Sequence, residues 1–244
     1  MKNRGPSAKR DFESTPMLSQ EAHWIPLSDL MTGLMVIFLL IAVTYMVKVE
    51  ADTDRIKNVA IAYSEIRDAL YEDLHAEFQN DLPRWKAEIL KNDLTIRFME
   101  PEILFSPGSS ELKPEFKAML NDFFPRYVRI LTSPKYRGSI NEIRIEGHTS
   151  SDWTGSSNPE EAYFKNMELS QARTRSTLKF VLDLPQIEAD RPWLKKYLTA
   201  NGLSSSRPVL MPDNTEDAER SRRVEFRVRT DAETRIAKIL EVAR

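Results

Sequence analysis

Hydrophobic and polar positions follow three successive patterns along the chain. The first is an apolar run over residues 24–47, WIPLSDLMTGLMVIFLLIAVTYMV, in which Asp29 is the only charged side chain. A helix rises about 1.5 Å per residue, so about 20 residues cross a bilayer core. The run therefore predicts one membrane-spanning helix. The run is longer than the apolar region of a signal peptide, and no small-x-small cleavage site directly follows it. Both features favour a membrane anchor that is retained in the mature protein.

Asp29 lies about one turn inside this run, where a carboxylate is costly to bury. One interpretation places it at the headgroup level, where it helps to begin the helix. The other places it in a protein interface, where it can exchange protons. At helical spacing it shares a face with Thr32 and Gly33, and small or hydroxyl residues suit close packing of membrane helices. This face favours the interface, where a carboxyl group can change its protonation state.

The second pattern is a charged segment over residues 48–91. Apolar residues recur there every seven positions, at Val49, Ile56, Tyr63 and Leu70. This spacing is typical of a helix with one apolar stripe. Two interpretations stay open: a linker helix that pairs with its copy in a dimeric coiled coil, or an amphipathic helix packed on its own domain.

The third pattern is strand-like alternation interspersed with helical periodicity. Strands are predicted from LTIRF (94–98), INEIRIEG (140–147), YLTANG (197–202) and RRVEFRVR (222–229). Helices are predicted over roughly 113–131, 160–183 and 231–243. This order predicts an α/β domain, an α+β sandwich with one sheet face covered, over residues 92–230, and a C-terminal helix over 231–244.

Composition removes several classes of function. The chain has 35 basic and 37 acidic residues, so it lacks the basic excess typical of nucleic-acid binding. It has no cysteine, which excludes disulfides, thiolate metal sites and a cysteine nucleophile. No second histidine lies near His148 in sequence. We therefore interpret His148 as a structural loop residue, and we expect no enzyme activity, no metal site and no cofactor.

The stretch SDLMTGLMVIFLLI resembles the single membrane helix of MotB-type stator subunits, which begins Asp-(Phe/Leu)-Met-Thr. In that family the aspartate carries the protons of a proton-driven rotary motor, and Asp29 occupies the matching position. The resemblance implies a MotA/ZorA-like multi-helix membrane partner, present in several copies around a dimer of this chain.

Three motifs of the C-terminal region occur in a specific order. ILFSPGSSELKPEF (103–116) comes first, IRIEGHTS with NMELSQARTRSTLKFVL (166–182) second, and SRRVEFRV (221–228) third. This series is similar to the OmpA-like peptidoglycan-binding domain. The resemblance implies the fold of a single-span membrane helix followed by an OmpA-like α/β domain, with peptidoglycan as the bound partner.

Members of that family bind the diaminopimelate of peptidoglycan stems, with an aspartate on its ammonium and an arginine on its carboxylate. The resemblance assigns peptidoglycan binding to Thr149, Asp152, Asn166, Leu169, Arg173 and Arg222. Arg173 matches the family arginine, whose planar guanidinium suits a carboxylate. Ser150 stands where the family has the aspartate. Either Asp152, at the start of a long inserted segment, takes over this role, or the pocket is weaker than in the family.

The ligand also implies the orientation of the chain. Peptidoglycan lies outside the inner membrane, so residues 1–23 are expected to be a cytoplasmic tail and residues 48–244 periplasmic. Together the resemblances imply a proton-conducting, wall-anchored stator subunit in the cell inner membrane. The apolar helix and the GHTSSDW variant are more similar to ZorB-type subunits of Zorya anti-phage systems than to flagellar MotB. A flagellar stator subunit and a passive wall anchor without ion transport stay open as alternatives.

Overall fold

The computed structural model describes residues 24–99, 101–156 and 158–230. The predicted tail over 1–23 and the predicted helix over 231–244 lie outside these residues. The chain divides into two compact units, Met1–Arg55 and Ile56–Arg244.

The first unit is dominated by the beginning of α1, a helix that runs over Trp24–Phe78. Its stretch Leu27–Lys57 is long and apolar enough to cross a membrane. The most apolar 18 residues of this stretch have a mean hydropathy of 2.4, and none of them is buried. The Thr32 hydroxyl donates to the Ser28 carbonyl at 2.8 Å, and the Thr44 hydroxyl donates to the Leu40 carbonyl at 2.9 Å. These bonds satisfy both hydroxyls within the helix, as apolar surroundings require.

The second unit is built on a five-stranded mixed sheet with the order β1-β2-β5-β3-β4. Its strands are β1 Ala87–Leu90, β2 Thr95–Phe98, β3 Ile140–His148, β4 Leu198–Gly202 and β5 Arg223–Thr230. β3 and β4 are parallel, and the other neighbours are antiparallel. The four predicted strands agree with β2 to β5. The sequence pattern missed β1, because all four of its residues are half-buried and do not alternate.

Helices precede β1 and lie in the connections that follow β2, β3 and β4. They are α2 Leu82–Trp85, α3 Pro101–Leu104, α4 Pro114–Leu131, α5 Pro159–Leu182, a 3₁₀ turn Pro185–Asp190, α6 Arg191–Tyr197 and α7 Ala218–Ser221. The predicted helices over 113–131 and 160–183 correspond to α4 and α5. The Asn158 side chain caps α5 by accepting from the Glu160 backbone N–H at 2.9 Å, and Pro159 fills the first helical position.

One face of the sheet forms the core. Ile96, Ile145 and Phe226 are fully buried there, and the Phe226 ring lies 5.2 Å from the ring of Phe123 on α4. The other face is charged, with Arg97 opposite Glu225 in the register of β2 and β5. The predicted α/β sandwich with one covered sheet face is therefore confirmed.

α5 approaches β3 so closely that Gly147 is required. A Cβ atom at Gly147 would lie 2.6 Å from the Thr174 methyl carbon and 3.0 Å from the Ser170 carbonyl oxygen. This close approach places α5 beside the end of β3, where the candidate site lies.

The last turns of α1 belong to the core of the second unit. Leu70, Leu74 and Phe78 are fully buried in the same apolar cluster as the sheet. Arg126 of α4 adds ion pairs at 2.7 Å to Glu77 and 2.8 Å to Asp81. Here the helix packs on its own domain, and the second unit includes residues before the predicted boundary at residue 92. The apolar residues at 70, 74 and 78 are four apart, which is the spacing of a helix face against a core.

Candidate functional site

A cavity of about 700 Å³ opens at the end of β3 and beside α5. Four parts of the chain line it: the turn before α4, the segment after β3, α5, and the residue before β5. All six residues expected to bind peptidoglycan line this cavity: Thr149, Asp152, Asn166, Leu169, Arg173 and Arg222. Trp153 of the inserted segment and Phe105 contribute its aromatic walls.

Arg173 is half-buried and holds the turn that faces it. Its Nε donates to the Ser109 carbonyl at 2.9 Å and its Nη2 donates to the Ser106 carbonyl at 3.2 Å. Its guanidinium lies 4.9 Å from the centre of the Phe105 ring. Gly108 gives this turn a φ of +67°, a conformation that glycine adopts without strain. Arg173 therefore shapes the cavity wall as well as lining it.

The surroundings of Arg173 change the pKa of its guanidinium group. Burial, followed by the positive charge of Arg222, lowers the pKa of Arg173 to about 10. The side chain stays protonated at neutral pH. Within the described residues, the hydrogen bonds of the Arg173 guanidinium go to the backbone carbonyls of Ser106 and Ser109 and not to Asp152.

Asn166 positions the segment that follows β3. It is 3% exposed, and its Nδ2 donates to the Ser150 carbonyl at 3.1 Å and to the Asp152 carbonyl at 3.2 Å. The amide nitrogen is thus occupied by the backbone. Ser150, at the place of the family aspartate, is buried, whereas Asp152 is exposed at the cavity. The replacement of the aspartate by Asp152 stays a prediction.

Glu216 is a supporting residue that the sequence did not indicate. Its Oε1 accepts from the Ser151 backbone N–H at 3.1 Å, and its Oε2 accepts from the Ser151 hydroxyl. Glu216 lies 65 positions further along the chain, in no motif, so only the folded chain brings it to the inserted segment.

His148 was expected to be a loop residue, but it ends β3 and is 4% exposed. Its Nε2 lies 3.8 Å from Glu146 and 3.6 Å from Glu225. These three groups are close enough to share a metal ion. However, the Nε atoms of Arg223 and Arg97 already lie 2.6 Å and 2.8 Å from the Glu225 carboxylate. We interpret the cluster as an internal ion network, because its arginines already balance its carboxylates.

Two pKa values in this network follow from burial and charge. Burial lowers the pKa of His148, because the charged ring would lose its hydration. Burial alone would raise the pKa of Glu225, but His148 and Arg223 outweigh it and hold this pKa well below its usual range.

The predicted membrane residues lie in the first unit. Asp29, Thr32 and Gly33 are exposed on α1. A Cβ atom built on Gly33 would have no neighbour within 4 Å. No requirement within the described chain therefore explains a glycine at this position.

The sequence and the structure were compared with known proteins. No family model matches the sequence. The chain is 49% identical over 219 residues to the Zorya protein ZorB of Escherichia coli, and the match covers 90% of this chain and 92% of that protein.

Similar solved structures include a MotB-like protein from Desulfovibrio vulgaris, with 28% identity and a TM-score of 0.48, over 68% of this chain and 96% of that one. They also include the cell wall anchor of the T6SS from Pseudomonas aeruginosa, with 20% identity and a TM-score of 0.44, over 64% of this chain and 96% of that one.

Proposed function

The chain belongs to the family of the Zorya protein ZorB, and on this premise we propose that it is a proton-conducting, wall-anchored stator subunit of an inner-membrane rotary motor used in anti-phage defence. The proposal has two parts, one for each compact unit. The first unit carries protons, and the second unit holds the motor to the cell wall.

Asp29 is the observation that carries the motor part. It is the only charged side chain in the apolar run over residues 24–47, and this run is long enough to cross a membrane. A passive anchor has no need of a charge there, and carboxylates in membrane helices usually mark a path for ions or protons. Asp29 would take up a proton from the periplasm and release it to the cytoplasm.

The helix face around Asp29 supports a membrane partner. Gly33 and Thr32 share this face, and nothing in the described chain packs against it. Small residues let helix backbones approach closely in a bilayer. The partner proposed is a MotA/ZorA-like multi-helix subunit, in several copies around a dimer of this chain.

The cavity of the second unit supports the anchoring part. It unites the residues that the OmpA-like resemblance assigns to peptidoglycan, with Arg173 and Arg222 as its cationic groups. Since peptidoglycan lies outside the inner membrane, the second unit would be periplasmic and the N-terminus cytoplasmic. The proposal includes no catalytic activity.

Phage protection tests this function against the passive anchor. Cells that carry the complete defence system would be infected, and the efficiency of plating measured for the unchanged chain, Asp29→Asn and Asp29→Glu. Asp29→Asn keeps the side-chain shape but removes the titratable group, so we expect protection to fall to that of cells without the system. Asp29→Glu keeps the chemistry at a shifted position and should retain part of it.

Asp54→Asn is the matched control, because Asp54 is exposed on the same helix beyond the apolar run. It should protect as well as the unchanged chain. Membrane levels of all variants would be compared by immunoblot. Full protection by Asp29→Asn would support the passive anchor instead.

A further inference from the structure

A second cavity, of about 270 Å³, lies at the far end of β5 from the candidate peptidoglycan site. Val228, Arg229 and Thr230 line it, whereas Arg222, the residue before β5, lines the first cavity. A strand rises about 3.3 Å per residue, so the two cavities are roughly 20 Å apart along β5. The second cavity is therefore a separate site. Its volume is below the range for drug-sized ligands, which indicates a small ligand.

Four arginines line this second cavity, and we call it the arginine cavity. They come from three elements that the fold brings together: Arg67 from α1, Arg144 from β3, and Arg227 and Arg229 from β5. Arg144 and Arg227 are direct partners in the register of β3 and β5. Like charges directly opposite each other on neighbouring strands are unfavourable, so an anion in the cavity would relieve their repulsion.

Two aspartates compensate part of this positive charge. Asp93 lines the arginine cavity, and its Oδ2 lies 2.5 Å from Nη2 of Arg227. Asp68 lies outside the lining and pairs with Arg67 at 3.3 Å. Its carboxylate is also 3.7 Å from Lys91, so Arg67 does not use the whole of that negative charge.

Two glutamates of β3 compensate a further part. Glu142 lies 2.8 Å from Arg144 and 3.6 Å from Arg229, so one carboxylate serves two guanidinium groups. Glu146 lies 3.9 Å from Arg144 but also 3.7 Å from Arg207, which is outside the arginine cavity. Because two of the four carboxylates are shared with cations elsewhere, a positive excess remains among the described residues that surround the cavity.

Two polar atoms in the arginine cavity give an independent sign of a ligand. Thr230 is 3% exposed, and its hydroxyl has no hydrogen-bond partner within the described part of the chain. The same is true of Oδ1 of Asp93, which is shielded from solvent although Oδ2 of the same carboxylate pairs with Arg227. Buried polar atoms without a partner are unfavourable, so a ligand that bonds to both would be stabilised.

These atoms restrict the chemistry of the ligand. The arginines require negative charge, whereas Oδ1 of Asp93 is an acceptor and requires a donor. Hydrogen phosphate meets both requirements, because it is an anion that keeps one O–H group at neutral pH. Sulfate has a similar size and shape but keeps no proton, so its oxygen would be placed against the carboxylate without a hydrogen bond.

We propose that the arginine cavity binds inorganic phosphate. The guanidinium groups hold its charge, the Thr230 hydroxyl donates to one of its oxygens, and Asp93 accepts from its O–H group. Asp93 is then the residue that selects phosphate over sulfate. Because Arg67 belongs to α1, bound phosphate would also link this helix to β3 and β5.

Calorimetric titration of the full-length chain in neutral detergent micelles tests this proposal. Sodium phosphate and sodium sulfate are the two probes, used at neutral pH and equal ionic strength in a buffer without either anion. The variants are Asp93→Asn, Arg229→Gln and Thr230→Val. Arg220→Gln is the matched control for the loss of one arginine, because Arg220 is exposed and does not line the arginine cavity.

We expect the unchanged chain to bind phosphate about tenfold to a hundredfold more tightly than sulfate, the range for one hydrogen bond to a charged group. Asp93→Asn should lose most of this selectivity, because its amide donates to either anion. Arg229→Gln should weaken binding of both anions about tenfold and keep their ratio, since both use its charge. Arg220→Gln should bind as the unchanged chain does.

Thr230→Val separates a ligand contact from a structural role. Valine has nearly the same shape, and the hydroxyl that it removes has no partner in the described chain. Phosphate affinity should therefore fall about tenfold, whereas the free energy of unfolding without phosphate should not fall. A lower free energy of unfolding with unchanged phosphate affinity would show a structural role and overturn this contact.

Equal affinity of the unchanged chain for phosphate and sulfate would overturn the proposal, whether or not the variants fold. Absence of saturable phosphate binding would do the same. Full selectivity in folded Asp93→Asn would overturn the role of Asp93. The attachment of the chain to isolated sacculi tests the other cavity, and all of these variants should retain it.

Discussion

At the scale of single residues, two side chains of the cavity make contacts that their motif does not indicate. Asn166 was expected to bind the ligand, yet its amide nitrogen donates to the Ser150 and Asp152 carbonyls. Arg173 was expected to offer its guanidinium to the ligand, yet it also holds the turn of residues 106–109. The truncation Arg173→Ala would therefore disturb the cavity wall along with any binding contact, and Arg222 is the clearer residue to test.

The His148 network predicts a dependence of stability on pH. Burial lowers the pKa of His148 below its ordinary value of about 6.5. Between the lowered pKa of the folded chain and the ordinary value of about 6.5, the unfolded chain binds a proton that the folded chain does not. The free energy of unfolding therefore falls as the pH decreases from about 6.5. The lowered pKa of Glu225 also reduces the free energy of unfolding as the pH falls, in this case below the ordinary glutamate value of about 4.3.

We therefore expect the free energy of unfolding to be lower at pH 5 than at pH 7, by at most about 2 kcal/mol, because one proton that only the unfolded chain binds costs about 1.4 kcal/mol for each pH unit below 6.5. Denaturant unfolding followed by tryptophan fluorescence at both pH values would measure it. The variant His148→Gln should lose most of the difference that arises near pH 6. His75→Gln, which changes a partly exposed histidine outside the network, should keep it. An unchanged pH dependence in His148→Gln would contradict this account of the network.

The motif positions could be predicted from sequence, because a motif series fixes which residues share a site. The hydrogen-bond partners could not be predicted, because they come from distant segments. Glu216 reaches Ser151, and Arg97 reaches Glu225 across 128 positions. No local pattern reports such a pair.

At the scale of elements, α1 changes its role along its length. The seven-residue spacing of its apolar positions predicted either a dimer seam or a face against its own domain. Near Leu70 and Leu74 the structure shows the second, with both side chains fully buried. Val49, further towards the N-terminus, is 46% exposed in the single chain. A dimer seam in that part of the helix stays a prediction.

Leu74→Ala should destabilise the second unit by about 2–5 kcal/mol, because it leaves a cavity between the helix and the sheet. The measurement is denaturant unfolding of the full-length chain in detergent. Leu210→Ala makes the same chemical change at a side chain that is 52% exposed, and it should cost much less. Equal costs for both variants would show that the end of α1 is not part of the core.

The same helix and the strand that follows it extend the second unit towards the N-terminus. β1 follows α1 closely, and both contribute to the second unit before residue 92. Alternation identifies strands that have one buried and one polar face. β1 lies at the edge of the sheet, beside β2, and its half-buried residues carry no such contrast.

At the scale of the whole molecule, two functions are proposed for two units of one chain. Asp29 lies in the first unit, and the cavity with Arg173 and Arg222 lies in the second. Asp29 is exposed on one helix, and no other part of the described chain encloses it. Proton movement therefore requires the membrane partner, and the central claim must be tested on the assembled complex.

Proton uptake by vesicles is the most direct test of that claim. The chain and its multi-helix partner would be reconstituted together in vesicles that contain a pH-sensitive dye, and an acidic outer solution would be applied. The account predicts acidification of the interior with the unchanged chain and with Asp54→Asn, and only the leak of empty vesicles with Asp29→Asn. Uptake through Asp29→Asn at the rate of the unchanged chain would contradict it.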